Sequence, residues 1–215
     1  MIEAARVAPL VARPDSPLAG KRLLIFDFDG TIADTSPLHA AAFAAVLAPL
    51  GVPVDYPRIS GMRTREALLA CTRAAGLAPG EGLIAELVVA KQAHVRERLS
   101  SELRPMPGVD AFLRAVRGRL PLALATSGSR ATVERALDAL GYAGWFAPAL
   151  CAEDVRRAKP DPEIFSTLLA RTGCAPGDAL VFEDAEAGFT AAGAAGIAWV
   201  DVRPNPWDTL REHLT

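Results

Sequence analysis

The 215-residue sequence lacks the features by which several protein classes are recognised. Its three cysteines, Cys71, Cys151 and Cys174, are scattered and form no Cys-x-x-Cys pair, so neither a disulfide framework nor a cysteine-rich zinc site is expected. No apolar run reaches the length of a membrane-spanning helix. The formal net charge is only −2, which leaves no broad basic surface for nucleic acid or an anionic membrane. We therefore expect a cytoplasmic protein whose partners are neither nucleic acids nor membranes.

The first 20 residues also lack a recognisable targeting signal. They have no basic start followed by a long apolar stretch, and they contain Pro9, Pro14 and Pro17. Residues 1–20 are therefore predicted to form a loosely ordered leader.

The rest of the sequence contains short apolar runs that alternate with helical patterns. Runs that are apolar on both faces are typical of strands in a parallel sheet covered by helices. These runs are Arg22–Phe28, Leu120–Ala125, Ala179–Phe182 and Ile197–Val202, with a weaker fifth at Ala147–Cys151. Helices that end close to a glycine are predicted at Ala131–Leu140, Pro162–Arg171 and Glu186–Ala195. The alternation predicts an α/β fold with a doubly wound, Rossmann-like parallel sheet.

One segment interrupts this alternation. Three helical patterns without a convincing strand lie between the first and second runs, at His39–Leu50, Thr64–Ala75 and Gly82–Leu99. We interpret residues 37–102 as a helical cap inserted into an α/β core, which then comprises residues 21–36 and 103–215. The hinges of the cap are predicted at Thr35–Pro37 and Leu103–Pro107.

Two carboxylates directly follow the first strand. Asp27 and Asp29, with Gly30 after them, stand where ligands of open α/β sheets bind. Neighbouring carboxylates are costly to bury unless they bind a cation or take part in a reaction. Taken alone, the pattern also fits an ordinary turn or a helix cap.

Three further groups follow later strands. Glu183 and Asp184 suit a hard cation such as magnesium, although Asp184 alone would also fit a helix cap. The hydroxyls and amides of Thr126–Ser129 suit a phosphate at a helix N-terminus, although Ser129 alone would fit a cap. Lys159 alone would be assigned to the solvated surface.

The positions of these groups make them informative as a set. The carboxyl ends of parallel strands meet at one edge of the sheet, so the groups are expected to lie together. A carboxylate nucleophile, a cation, a hydroxyl and a lysine are what phosphoryl transfer requires. The set is Asp27, Asp29, Thr126, Lys159, Glu183 and Asp184.

These motifs resemble those of the haloacid dehalogenase superfamily, in order along nearly the whole chain after residue 20. The matching segments are DFDGTIADT at 27–35, Thr126 after LALA, Lys159-Pro160 and Glu183-Asp184. The insertion after the first motif resembles the subgroup with small helical caps, which contains β-phosphoglucomutase and many sugar phosphatases. The segments 158–165 and 181–196 are most similar to fructose-1-phosphate and 6-phosphogluconate phosphatases.

The resemblance implies a chemical role for each core residue. Asp27 would attack phosphorus and form an aspartyl-phosphate. Asp29 would protonate the leaving oxygen and then activate water, and crowding by other carboxylates is expected to raise its pKa. Thr126 and Lys159 would contact the phosphoryl group and stabilise its charge. Gly30 and Ser127 complete the expected phosphate site.

The resemblance also implies a cofactor, Mg²⁺. Its ligands would be Asp27, the backbone carbonyl of Asp29, and Asp184. Glu183 would bind the ion through a water molecule, or would contact the other ligands without touching the ion.

Within the cap, the substrate candidates are His39, Arg63, Thr64, Arg65 and Lys91. His39 follows the nucleophile by twelve residues, where related sugar phosphatases carry a histidine. The alternative for His39 is an ordinary position on a helix surface, and for Arg63 and Lys91 it is the solvated surface.

The combined prediction is a magnesium-dependent phosphatase of small phosphomonoesters, above all sugar phosphates, acting as a monomer or homodimer. A sugar phosphomutase with the same catalytic residues stays open, because the motifs are shared. A dehalogenase and a non-catalytic binding protein are disfavoured because neither needs Asp29. A phosphonate-cleaving enzyme would need a Schiff-base lysine in its cap, a role that the position of Lys91 supports poorly. A signalling receiver would not carry an inserted cap.

Overall fold

The computed structural model of the protein describes residues 12–214, except for the side chain of Ser100. At its centre lies a five-stranded sheet in the order β3-β2-β1-β4-β5. The strands are β1 (Leu23–Phe26), β2 (Leu122–Ala125), β3 (Ala149–Leu150), β4 (Ala179–Glu183) and β5 (Ala198–Asp201). All four pairings are parallel. The predicted doubly wound α/β fold is therefore confirmed.

Helices fill the connections between these strands. Between β1 and β2 lie α1 (Ser36–Leu47), α2 (Tyr56–Ile59), α3 (Thr64–Ala74), α4 (Glu81–Glu102) and α5 (Val109–Val116). The later connections carry α6 (Arg130–Ala139), α7 (Glu163–Thr172) and α8 (Glu186–Ala194), and α9 (Trp207–Glu212) follows β5. Within the described residues, no helix combines the length and the apolar character needed to cross a membrane.

The two faces of the sheet explain why its strands read as continuous apolar runs. Leu24 and Phe26 of β1 belong to the hydrophobic cluster on one face, whereas Leu23 and Ile25 belong to the cluster on the other. Phe26 stacks on Phe182 of β4 with ring centroids 4.7 Å apart. Because helices cover both faces, neither side of β1 needs polar residues.

The segment 36–102, here called the helical segment, has a hydrophobic cluster of its own. Phe43 and Leu47 of α1 pack in it with Leu68 of α3 and Ile84 of α4. The far end of α4 reaches the α/β core instead, where its apolar residues join the larger cluster. The helical content between β1 and β2 agrees with the sequence pattern, and the division of the chain into core and cap stays a prediction.

Three helices, α2, α5 and α9, are absent from the predicted set. They span only four, eight and six residues, which is too short for a clear helical period. Tertiary packing stabilises α5 and α9, since Phe112 of α5 and Trp207 of α9 are buried against each other with ring centroids 5.3 Å apart.

The described part of the predicted leader differs from the loose segment that was expected. Within residues 12–20, Leu18 is buried in the larger hydrophobic cluster and Ala12 packs against that cluster. Ala12 forms an antiparallel bridge with Leu214. Burial of this leucine stabilises the packed position of the segment, even though the prolines around it favour turns. The remainder of the leader, residues 1–11, lies outside the described residues.

Candidate active site

Three carboxylates lie together at the carboxyl edge of the sheet. Asp27 follows β1, Glu183 ends β4, and Asp184 comes directly after it. The pairing of Phe26 with Phe182 sets these ends side by side, and the backbone N–H of Asp27 donates to the carbonyl of Phe182. One carboxylate oxygen from each of the three acids lies within 4.8 Å of the other two.

Lys159 is the positive charge inside this cluster. Its Nζ donates to Asp27 Oδ1 at 2.7 Å and to Glu183 Oε2 at 2.6 Å. A third hydrogen bond goes to the carbonyl of Ala125 at 3.0 Å. The Lys159 side chain is only 5% exposed, so the alternative of a solvated surface lysine is excluded.

The pKa values of the cluster show a deficit of positive charge. Burial, together with the charge of Asp27, raises the pKa of Glu183 to about 8 and that of Asp184 to about 7, against the opposing effect of Lys159. Burial also raises the pKa of Asp27, again against Lys159. One ammonium group therefore faces three carboxylates.

This donor set fits a divalent cation. Carboxylate oxygens are the ligands that magnesium and calcium prefer. A dication placed among the three oxygens would supply the positive charge that Lys159 alone does not. The residues present are thus able to hold the predicted type of metal.

Two glycines make room for the acidic side chains. Gly30 has a φ of +78°, and a Cβ on it would overlap the carboxylate of Asp184. A Cβ on Gly188, in α8, would overlap the carboxyl group of Glu183. Any side chain at either position would displace an acid of the cluster.

Asp29 turns away from the other acids and towards the helical segment. Its Oδ1 accepts a hydrogen bond of 2.5 Å from Thr35 Oγ1 and lies 3.1 Å from His39 Nε2. On the other side of the imidazole, Lys91 Nζ lies 2.6 Å from His39 Nδ1. Asp29, His39 and Lys91 thus form a continuous hydrogen-bonded chain.

The expectation that carboxylate crowding raises the pKa of Asp29 is wrong. Burial does act in that direction, but the charge of His39, hydrogen bonds from His39 and Thr35, and the charge of Lys91 outweigh it. They lower the pKa of Asp29 to about 2. The physical reason is the orientation of the side chain, which faces basic groups and not the acids.

Lys91 is buried, contrary to the surface alternative. Only 4% of the residue is exposed, and its ammonium group lies 4.7 Å from the centre of the Phe43 ring. Burial lowers the pKa of Lys91 to about 8, although the charge of Asp29 opposes that shift. This lysine therefore gives up its proton more readily than a solvated one.

The loop after β2 forms the opposite wall. Thr126 is fully buried, and its Oγ1 accepts a hydrogen bond from the backbone N–H of Gly128 at 3.0 Å. Ser127 and Asp29 line the same cavity. Ser129 stands at the N-cap position of α6 but makes no side-chain cap; its hydroxyl donates to Thr132 Oγ1 instead.

Of the remaining cap candidates, one lines the cavities beside Asp29 and two are bonded elsewhere. Thr64 lines the cavities beside Asp29. Arg63 bridges to the core, with Nη2 donating to the carbonyls of Ala152 and Val155 at 3.2 and 3.1 Å. Arg65 pairs with Glu81 on the surface of the helical segment. Within residues 12–214, neither arginine is among the residues that line those cavities.

Three residues of the site were missed at the sequence level. Thr35 was predicted only as a hinge, Gly188 was given no role, and Tyr56, which lines two of the cavities, was not considered. Burial raises the pKa of Tyr56 to about 12. The spacing of the sequence carries no signal for Tyr56, since its helix α2 is too short to be predicted.

Comparison with known proteins agrees with this geometry. Residues 24–202 match the family model described as haloacid dehalogenase-like hydrolase. The chain is 36% identical over 186 residues to the fructose-1-phosphate phosphatase YqaB of Escherichia coli, covering 84% of this chain and 95% of that protein. It is 34% identical to a phosphorylated carbohydrates phosphatase of Thermotoga maritima, covering 81% of both chains.

A solved structure extends the comparison to three dimensions. The crystal structure of CbbY from Rhodobacter sphaeroides in complex with phosphate superposes with a TM-score of 0.75 at 27% identity. The match covers 83% of this chain and 84% of that one. The family match spans well over half of the chain and includes every acid of the cluster. The protein belongs to the haloacid dehalogenase-like hydrolase family.

Proposed function

We propose that the protein is a magnesium-dependent phosphatase of sugar phosphates and similar small phosphomonoesters. One observation carries the proposal: in a member of this hydrolase family, Asp27 lies buried between Lys159 and two further acids. The named relatives, a fructose-1-phosphate phosphatase and a phosphorylated carbohydrates phosphatase, support the choice of substrate.

In this proposal Asp27 is the nucleophile. A carboxylate needs no general base, because it is ionised at neutral pH once its charge is balanced. Lys159 holds Oδ1 of Asp27 at 2.7 Å, which leaves Oδ2 to attack phosphorus. The bond from phosphorus to the substrate oxygen breaks as the bond to Asp27 forms, giving an aspartyl-phosphate.

The cation would be held by Asp27, Asp184 and the backbone carbonyl of Asp29, with Glu183 beside them. When bound, it supplies positive charge that offsets the repulsion between the phosphoryl oxygens and the acids. Thr126 and the backbone amides of Ser127 and Gly30 would contact the phosphoryl oxygens.

Asp29 is the proposed general acid and base. Its low pKa in the free protein means that it begins ionised, so the arriving phosphate dianion must favour its protonation. His39 and Lys91 provide a hydrogen-bonded route for that proton. Asp29 then protonates the leaving oxygen and, ionised again, deprotonates the water that hydrolyses the aspartyl-phosphate.

Substrate entry is proposed to require movement of the helical segment. The three cavities that border Asp29 measure about 30, 30 and 50 Å³, whereas sites for small molecules usually exceed about 300 Å³. Motion at the hinges Thr35–Pro37 and Leu103–Pro107 would open the cleft, and closure would exclude water. We further propose that the protein acts in the cytoplasm as a monomer or homodimer.

Phosphate release tests the proposed function. Hexose monophosphates should yield inorganic phosphate in the presence of magnesium and none in excess chelator. Asp27→Asn should abolish turnover, whereas Asp208→Asn, at a carboxylate whose side chain is 69% exposed, should leave it unchanged. Isomerised sugar phosphate in place of inorganic phosphate would show a mutase, and equal activity of the two variants would exclude Asp27 as the nucleophile.

A further inference from the structure

Arg63 connects the helical segment to the α/β core. Its backbone stands at the N-cap position of α3. Its side chain extends away from that helix, and Nη2 donates to the backbone carbonyls of Ala152 and Val155 at 3.2 and 3.1 Å. These acceptors lie 89 and 92 residues further along the chain. The contact therefore depends on the position of the helical segment relative to the core.

The two acceptors belong to one loop, residues 151–155, here called the β3 loop because it follows β3. The carboxylate of Asp154 accepts a hydrogen bond from the backbone N–H of Cys151 at 2.8 Å and also pairs with Arg130 of α6. Cys151 is itself buried. Arg63 thus bonds to a firmly anchored part of the core.

The β3 loop supports the neighbouring loop after β2, which is proposed to contact the phosphoryl oxygens. The backbone N–H of Ala152 donates to the carbonyl of Gly128 at 3.0 Å. The carboxylate of Glu153 accepts from the backbone N–H of Arg130 at 3.1 Å. Gly128 in turn donates to Thr126 Oγ1 at 3.0 Å. A displacement of the β3 loop would therefore move Thr126 and the amides that follow it.

The β3 loop also leads directly to Lys159, from which only residues 156–158 separate it. Within this connection, the backbone N–H groups of Arg156 and Arg157 donate to the carboxylate of Glu163 at 2.8 and 3.0 Å. The connection is thus short and is held against the first turn of α7. The position of the β3 loop therefore also affects the ammonium group that bonds to the proposed nucleophile.

The loop that carries Arg63 crosses the carboxyl edge of the sheet. Gly61 lines two of the small cavities of the site, and a Cβ on it would lie 3.7 Å from the Cβ of Ala185. Ala185 follows β4, whereas the acceptors of Arg63 follow β3. Because β2 and β1 lie between those two strands, the loop spans the strand ends that carry Thr126 and Asp27. Arg63 therefore reaches the β3 loop when the helical segment covers the site.

We infer that Arg63 is a positioning residue for the phosphoryl-transfer site. When the helical segment closes, the Arg63 guanidinium fixes the β3 loop, which in turn holds Thr126, the amides after it and Lys159 around the phosphoryl group. The inference rests on the proposed function and adds a residue that contacts neither the substrate nor the cation. Because the placement of reacting groups matters most in the transition state, the loss of Arg63 should lower kcat and leave KM unchanged.

Phosphate release from a panel of hexose monophosphates with magnesium measures this effect. Arg63→Gln should lower kcat by about tenfold and change KM by less than about twofold. Arg58→Gln is the control and should keep both wild-type values, since the Arg58 side chain is 84% exposed and pairs with Asp55 within the helical segment. A wild-type kcat for Arg63→Gln would overturn the inference and leave the proposed function standing. If the wild-type protein released no phosphate from the panel, both would be overturned.

Binding of beryllium trifluoride, a mimic of the phosphoryl group on a carboxylate, separates positioning from a loss of folded protein. With magnesium present, Arg63→Gln should bind as many equivalents per chain as the wild-type protein does, with an affinity lower by about tenfold. Fewer equivalents at an unchanged affinity would show that part of the variant is unfolded, and the positioning role would be wrong.

A double-mutant cycle tests the route through the β3 loop. Glu153→Ala removes the hydrogen bond from this loop to the backbone of Arg130, so the position of the loop then has less effect on the phosphate site. In that background, Arg63→Gln should lower kcat by less than about threefold. The same tenfold loss in both backgrounds would show that Arg63 does not act through the β3 loop, and the inference would fail.

Discussion

Replacing a metal-site acid should stabilise the protein when no metal is bound. The carboxylate of Asp184 lies beside two other acids and only one lysine. Burial and the charge of Asp27 raise its pKa to about 7. A rise of about three pKa units corresponds to about 4 kcal/mol by which folding disfavours the ionised side chain. Asp184→Asn removes the charge but keeps a buried polar group. We therefore expect about 2 kcal/mol of added stability, or about 4 to 8 °C in Tm.

The pH dependence of this effect has a defined sign. The pKa of Asp184 is higher in the folded protein than in the unfolded chain, so the wild-type protein regains stability by taking up a proton as the pH falls. The stabilising effect of Asp184→Asn should be complete above pH 7 and should vanish below about pH 4. Magnesium should reverse the order, because it stabilises only the protein that binds it.

Thermal unfolding at pH 8 provides the assay, with excess chelator in one series and millimolar magnesium in the other. Asp208→Asn is the control, since its exposed carboxylate pairs only with Arg211 at the surface and its loss should change Tm slightly and by the same amount in both series. A lower Tm for Asp184→Asn than for wild type in chelator would refute the charge deficit. An equal gain from magnesium in both proteins would refute Asp184 as a ligand.

Two further predictions address the supporting residues. Gly188→Ala should lower activity and magnesium affinity by about tenfold or more, since its Cβ would displace Glu183. Gly193→Ala, in the same helix, is the control. Its Cβ would meet only the edge of the half-exposed Trp199 ring, so activity and magnesium affinity should stay at the wild-type values. His39→Ala removes a group that lowers the pKa of Asp29. With an aryl phosphate substrate, the acid limb of the pH profile of kcat should therefore move to higher pH. An acid limb at the wild-type pH would show that His39 does not affect proton transfer by Asp29.

The parts of the site that follow from strand ends could be predicted from the sequence. Asp27, Glu183 and Asp184 meet because β1 and β4 pair in parallel with their carboxyl ends at one edge. The sequence pattern shows both the strands and the acids that follow them, so the proximity of the three acids can be predicted without knowledge of the tertiary packing. The placement of Lys159 is less direct, because it depends on the loop before α7 folding back over β2.

The orientation of Asp29 could not be predicted in this way. Its environment is set by Thr35, His39 and Lys91, which belong to different parts of the helical segment and its hinge. Their convergence depends on α4 packing against α1, a tertiary contact that no local pattern encodes. For the same reason the hydrogen bonds from Arg63 to backbone carbonyls of the core could not be predicted from the sequence.

The most direct test of the account is to identify the residue that becomes phosphorylated. Asp29→Asn should still transfer phosphate from p-nitrophenyl phosphate, whose leaving group needs no proton, but should be slow to hydrolyse the product. After acid quenching, borohydride reduction converts an aspartyl-phosphate to homoserine, which peptide mass spectrometry locates. The account predicts homoserine at residue 27, formed only when magnesium is present. Modification at any other residue, or none in a variant that releases p-nitrophenol, would contradict it.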